Sequence, residues 1–383
     1  MNIHLHSALT RGVTDDVPLV EWVMKLIYPK LANLLPEDAY WASMLAYAES
    51  IKSGTTCVLD MYRHMNKCSE AAEKIGIRAG LSPICFDDVP GGEKIEDNRR
   101  LFVERNGAAN GRIKIWFGLE WTAICNPETL MKAREYANKF KTGIHTHFQE
   151  SLEWLEGDKR AFGGKSGIEQ AYYSGLLGPD VVAAHCVWLS NKDIQLLKQT
   201  GANVSHNPVS NMKFGNGVAP VPELISNGIN VGLGTDGAFC NNNNDMFEVM
   251  KYASLLHKVN KLSSVVMPAP QVLQMATMNG AKALGLEKEI GSIESDKKAD
   301  IILVDLNRLR MTPLLLGEYL NLISHLVYSA HGDEVDTVII DGKVVMENRI
   351  LKNIDEPELI EKSTEATENL LRRLNYKKTV VST

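Results

Sequence analysis

The sequence predicts an α/β protein: a (β/α)8 TIM-type barrel with a small β-rich appendage, a partial β-sandwich, at the C-terminal end. Three observations carry this. Short β-branched runs recur along the chain, each followed by a helical stretch. The runs are apolar almost throughout, as strands of a parallel sheet covered on its outer side by helices must be. Counted from the first residues they number eight, which closes a barrel.

In chain order, "NIHLH" (2–6) is the first strand. "TTCVLDMY" (55–62), "RAGLSPICF" (78–86), "RIKIWFGLE" (112–120), "TGIHTHF" (142–148), "DVVAAHCV" (180–187), "ANVSHN" (202–207) and "NVGLGTD" (230–236) follow. Between them lie segments of amphipathic helical spacing, such as "LMKAREYANKFK" (130–141) and "NKDIQLLKQTG" (191–201). The barrel is expected over 1–290. "GSIESDKKADIILVDL" (291–306) and "VDTVIIDGKVVMENR" (335–349) then read as short strands with a hairpin turn at Asp341-Gly342, so a small β-sandwich-like domain is expected over 291–350. A charged helix near 355–375 falls within a C-terminal tail, 351–383.

Composition narrows the function classes. At 44% hydrophobic and 23% charged, with net charge −6, the 383 residues are those of a globular protein with no basic excess for nucleic acid or a membrane surface. The six cysteines are scattered without CxxC pairing, which argues against a disulfide framework and for a reducing cytoplasm. No basic-then-apolar leader and no apolar run of about eighteen residues occurs, so neither secretion nor membrane spanning is expected. The Met-rich "VVMPAPQVLQMATMNG" leaves room for a homodimer or larger homo-oligomer.

Chemistry-bearing residues gather at the C-terminal ends of the expected strands, the face where barrel enzymes build their sites. His4 and His6 are two apart, so in an extended strand both imidazoles leave one face and can share a metal ion. "IHTHFQE" offers His145, His147 and Glu150, of which one histidine need be a ligand and Glu150 can reach a water on the same metal. "AAHCV" adds His185 and "LGTDG" adds Asp236. A lone histidine or aspartate at a strand end is ordinarily a satisfied core or capping group; the joint placement on strands 1, 5, 6 and 8 is what points to a site. Asp236 at the mouth of a dry barrel is costly unless paired or bound to a cation. Gly234 and Gly237 beside it permit close backbone approach or simply a tight turn. The four asparagines from Asn241 suit a helix cap, with Asn241 also able to bond polar substrate atoms.

"NIHLHSALTRGVTDDVPLVEW", "SGTTCVLDMYRH", "IHTHFQES", "AAHCVWLS", "SHNPVSNMKFGNGVAPV", "VGLGTDGAFCNNNNDMFE" and "KKADIILVDL" together resemble the amidohydrolase superfamily over almost the whole chain. More narrowly they resemble its branch of S-adenosylhomocysteine/methylthioadenosine deaminases, guanine and cytosine deaminases and chlorotriazine hydrolases. The resemblance implies one divalent metal ion per subunit, Zn foremost with Fe or Mn as alternatives, held by His4, His6, His147 and Asp236. It implies Asp236 as base, His185 contacting substrate and hydrolytic water, and Glu150 as proton shuttle. His145 is then packed below the site, and His206 shapes the pocket. The implied function is a hydrolytic deaminase, in which hydroxide generated on the metal attacks the amino-bearing carbon of a purine, pyrimidine, pterin or triazine and releases ammonia.

Three departures from that pattern bear on the substrate. The chain starts almost on the HxH pair, so the strands that would complete the β-sandwich are expected to be missing. Leu31 stands where adenosylhomocysteine-type members place a ribose-binding glutamate, and 81–94 holds no arginine for an amino-acid carboxylate. Glu120 replaces a histidine after strand 4. Together these favour a smaller or cationic amino-heterocycle, with Glu120 accepting from ring N–H or amino groups and Trp121 stacking on it; pairing of Glu120 with an arginine is the alternative. Two further readings are a chlorohydrolase or cyclic amide hydrolase of the same fold, and a truncated relic without activity.

Overall fold

The computed structural model describes residues 2–87 and 89–376, apart from the side chains of 2, 3, 5 and 6. The side chain of the expected ligand His6 and the last seven residues of the expected tail, 377–383, therefore lie outside what is described. Nine strands form one parallel sheet: β1 (Asn2–Ile3), β2 (Cys57–Tyr62), β3 (Arg78–Cys85), β4 (Ile113–Ile115), β5 (Phe117–Trp121), β6 (Ile144–Phe148), β7 (Val181–His185), β8 (Asn203–His206) and β9 (Val231–Leu233). β4 and β5 are two pieces of one barrel strand, split at Trp116, whose ring fills the space above Gly143. A Cβ there would lie 2.2 Å from the indole, so only glycine fits. Eight barrel strands result, in sequential order, with helices between them, and the (β/α)8 barrel is the observed fold.

The helices follow local chemistry. Ser190 and Asp193 form a capping box at the start of Asn191–Thr200, and Gly201 ends that helix at φ 72°. Ser166 with Glu169 does the same for Gly167–Tyr173. The four asparagines depart from expectation: Asp245 caps Met246–Asn260 by accepting from Phe247 N at 2.9 Å, because its carboxylate stands at the position from which the first free N–H groups can be reached. Met267 and Met275 of the Met-rich stretch are both buried in the core.

The first strand is shorter than expected. Asn2 and Ile3 pair with Leu59 and Asp60, and a 3-10 turn, Leu5–Thr10, follows at once. The strand alternation invoked for His4 and His6 thus stops before it reaches them.

Four antiparallel strands, β10 (Ile301–Val304), β11 (Val335–Ile340), β12 (Lys343–Glu347) and β13 (Ile350–Leu351), make the second sheet. Its β11–β12 turn is Asp341-Gly342, both at positive φ, as a two-residue hairpin of this twist requires. Buried Arg78 at the base of β3 donates to both carboxylate oxygens of Asp300, at 2.8 and 2.9 Å, and so ties this sheet to the barrel. The helix Glu356–Arg373 packs on Pro36–Lys52, with Lys52 donating to Glu356 at 2.7 Å. No described helix is long and apolar enough to cross a membrane.

Candidate active site

The expected residues converge at the C-terminal mouth of the barrel. His4 follows β1, His147 lies on β6, Glu150 lies just past it, His185 ends β7 and Asp236 follows β9. The backbone turns sharply there: Gln149, His185, Cys186 and Asp236 all take positive φ, between 48° and 67°. Each such non-glycine residue costs on the order of 1 kcal/mol, and strain of this kind gathers where side-chain aim matters.

His4 Nδ1 lies 2.6 Å from Met61 O, and His147 Nδ1 lies 2.7 Å from Glu120 O. Each Nδ1 must donate to its carbonyl, which leaves each Nε2 with a bare lone pair. Those two Nε2 atoms face each other at 2.9 Å. A proton between them is disfavoured, because burial and then the neighbouring imidazoles push His4 down and His147 to about 4. Asp236 Oδ1 is 3.7 Å from His4 Nε2, and its Oδ2 is 3.9 Å from His185 Nε2. Two opposed lone pairs beside a carboxylate fit a divalent cation. Oxygen or nitrogen atoms of Glu150, His185 and Asp236 also lie within 4.8 Å of one another.

One loop aims the carboxylates and His185. From the short helix Pro208–Lys213 and the turn after it, Ser210 Oγ donates to Asp236 Oδ2 at 2.6 Å and Asn216 Nδ2 donates to Glu150 Oε1 at 3.0 Å. Asn211 Oδ1 lies 2.9 Å from His185 Nδ1 and accepts its proton. Gly237 N completes Asp236 with a 2.8 Å bond to Oδ1. Gly237 is a close-approach glycine, since a Cβ there would lie 2.7 Å from Ser7 Oγ. The sequence reading gave Ser210, Asn211 and Asn216 no role; the available signal was a serine and two asparagines in the loop after a strand end.

Electrostatics divides the carboxylates. Burial pushes Glu150 up to about 7 although His185 opposes it. Burial would raise Asp236 too, but His185 and His4 hold it below the usual carboxylate range. For His185 itself burial is outweighed by Glu150 and Asp236, which carry it above its ordinary value. One carboxyl is thus poised to hold a proton and its neighbour to stay ionised.

Around this centre is a cavity of about 680 Å³ including its mouth, walled by Leu19, Trp22, Ile27, Tyr28, Tyr62 and Phe239 among others. Glu120 and Trp121 line it. Among the described residues no arginine lies within ion-pair distance of Glu120, whose near neighbour is His147 Nδ1 at 3.6 Å. Trp121 donates to Asp158 at 2.7 Å and packs edge-on against Trp154. Three other expected residues stand outside the lining. Leu31 is fully buried in the core. His206 is buried with its Nε2 3.2 Å from His257 Nε2. Asn241 donates to Thr235 O at 2.9 Å and so pins the loop that carries Asp236. His145 packs below the centre, 3.0 Å from Ser82 Oγ.

The sequence profile described as "Amidohydrolase family" matches residues 1–345. The 5'-deoxyadenosine deaminase of Methanosarcina mazei is 44% identical over 380 residues, 98% of this chain and 86% of that protein. The 5-methylthioadenosine/S-adenosylhomocysteine deaminase of Syntrophomonas wolfei is 43% identical over 375 residues, 97% of this chain and 86% of that protein. Among solved structures, a zinc-bound adenosine deaminase from Xanthomonas campestris superposes with a TM-score of 0.91 at 28% identity, covering 97% of this chain and 84% of that one. With this match over its length, the chain belongs to the amidohydrolase family and is a hydrolytic enzyme acting on carbon–nitrogen bonds.

Proposed function

We propose that this chain removes the 6-amino group of an adenosine derivative whose 5′ substituent is uncharged, adding water and releasing ammonia. The observation that carries this reading is Glu150, His185 and Asp236 gathered beside two facing imidazole nitrogens, at the end of a cavity lined by aromatic and aliphatic side chains. Among the described lining residues there is no lysine or arginine to meet a carboxylate on the ligand. The relatives named above act, by their names, on adenosine derivatives, which favours a nucleoside over the smaller or cationic heterocycle expected from sequence. The same lack of basic side chains keeps the expectation against a zwitterionic thioether.

Zinc is the proposed ion, held by His4, His147 and Asp236, with His6 as a fourth ligand. When bound, such a cation lowers the pKa of a coordinated water from about 16 to about 7 and polarises the attacked carbon's substituents. Asp236 takes the proton of the attacking water on a carboxylate oxygen. His185 Nε2 holds the incoming oxygen in place. Glu150, whose carboxyl burial raises to about 7, donates to the ring nitrogen beside the attacked carbon and then helps protonate the departing amine. The six cysteines, all free and five of them buried, support a reducing cytoplasm.

Ammonia release and metal content measured on one preparation test the reading. 5′-Deoxyadenosine and 5′-methylthioadenosine should give ammonia with kcat/KM at least about tenfold above S-adenosylhomocysteine, a difference of about 1.4 kcal/mol. Glu150→Gln should lower kcat by about 10²- to 10⁴-fold. Chloride release from a chlorotriazine with no ammonia from any adenosine would sink it, as would zinc content near zero with no rescue by added metal.

A further inference from the structure

We propose that Glu120 and Tyr28 form the subsite for the sugar hydroxyls of the substrate, with the Glu120 carboxylate accepting from the vicinal 2′- and 3′-hydroxyls. This rests on the reading of the substrate as an adenosine derivative.

Glu120 Oε2 is buried and has no hydrogen-bond donor among the described residues. Its near neighbour His147 Nδ1, at 3.6 Å, has already given its proton to the Glu120 carbonyl at 2.7 Å. A buried carboxylate short of donors is expensive to keep unless a ligand supplies them. The Tyr28 hydroxyl lines the same cavity, and it too is buried without a partner among the described residues.

Position then says which part of the ligand supplies the donors. Glu120 sits on β5, one strand before His147, and Tyr28 reaches in from the helix Tyr28–Asn33 with its ring against Phe86 beyond β3. Glu150 and His185 lie on the opposite flank of His147, after β6 and at the end of β7, with Asn216 reaching Glu150 from the loop after β8. A purine whose amino edge meets Glu150, His185 and Asp236 therefore turns its sugar toward Glu120 and Tyr28. To an ionised Glu120 the ring atoms left over, N3 and N7, bring only acceptor lone pairs. The sugar hydroxyls are donors, and two on adjacent carbons can engage one carboxylate.

The test compares adenosine, 2′-deoxyadenosine and 3′-deoxyadenosine on the metal-loaded enzyme, by turnover and by calorimetric binding. Loss of either hydroxyl should lower kcat/KM about 10- to 100-fold, as expected for a hydrogen bond to a charged group. Glu120→Gln should lose a similar factor on adenosine, mainly in KM, and should handle the three nucleosides nearly alike. Tyr28→Phe should show a weaker version of the same pattern and gives a second route if the glutamate variant fails to fold. Equal binding and turnover of all three by the parent enzyme would overturn the proposal, as would a Glu120→Gln loss of the same size on each. If binding discriminates the hydroxyls while no nucleoside releases ammonia, the deamination reading falls and the subsite stands.

Discussion

His147 and His206 show what decides whether a strand-end histidine serves the site. Both come late in barrel strands, yet side chains alternate along a strand. His147 Nε2 meets His4 inside the barrel, whereas His206 Nε2 meets His257 on the surrounding helix Met246–Asn260. The sequence carries the residue but not its parity, because strand limits are uncertain by a residue or more. Leu31 has a different cause: an apolar side chain at that position joins the core. Lys30 beside it gave no signal at all. Its Nζ donates to Thr10 Oγ1 at 2.9 Å and lies 4.4 Å over the Phe239 ring, with no ion-pair partner among the described residues. Burial lowers it from an ordinary 10.5 to about 7. Between those values the unfolded chain binds more protons than the folded one, so Lys30's contribution to stability is complete above about 10.5 and lost as pH falls toward 7. Tm of Lys30→Met should therefore depend less on pH than the parent's between pH 7 and 10.5. Parallel Tm profiles would refute the burial argument.

At the scale of elements, strands and their order were legible because apolar β-branched runs between helical stretches admit few arrangements. The hairpin at Asp341-Gly342 was legible for a local reason, the positive φ that both positions take. The cavity walls were not. Leu19, Trp22, Ile27 and Tyr28 come from consecutive helical turns across 19–33 that close over the barrel mouth, and their apolar spacing reads equally well as core. Asp245 shows one residue serving two elements. Besides capping Met246–Asn260, its Oδ2 accepts from Gly332 N at 2.8 Å, just ahead of β11. Asp245→Ala should cost about 2 kcal/mol, roughly 1 for the cap and 1 for the other bond. Chemical denaturation would check it, and a loss below about 0.5 kcal/mol would mean that water replaces both bonds.

The molecule as a whole is expected to be steadied by its cation. A ligand that binds only the folded state at a hundred times its Kd adds about 2.7 kcal/mol, or about 3 °C in Tm for a chain of this size. Chelation should lower Tm by about that much and Zn²⁺ should restore it, while His147→Ala should respond to neither. Identical melting of stripped and loaded protein would remove the opposed lone pairs of His4 and His147 as a metal site. The overall architecture was readable from sequence because it depends on periodicity; the cation's role depends on distances between residues far apart in the chain, which periodicity does not encode.

The sheet's two edges, β1 and β9, share no ladder among the described residues, yet His4 and Asp236 stand 3.7 Å apart across that seam. The proposed cation site is thus closed between the first of these strands and the last, with His147 supplied from the middle. During synthesis His4 can meet His147 once β6 has emerged, but not Asp236 until the chain has passed Gly237. The full set of His4, His147 and Asp236 therefore exists only once the last strand is in place.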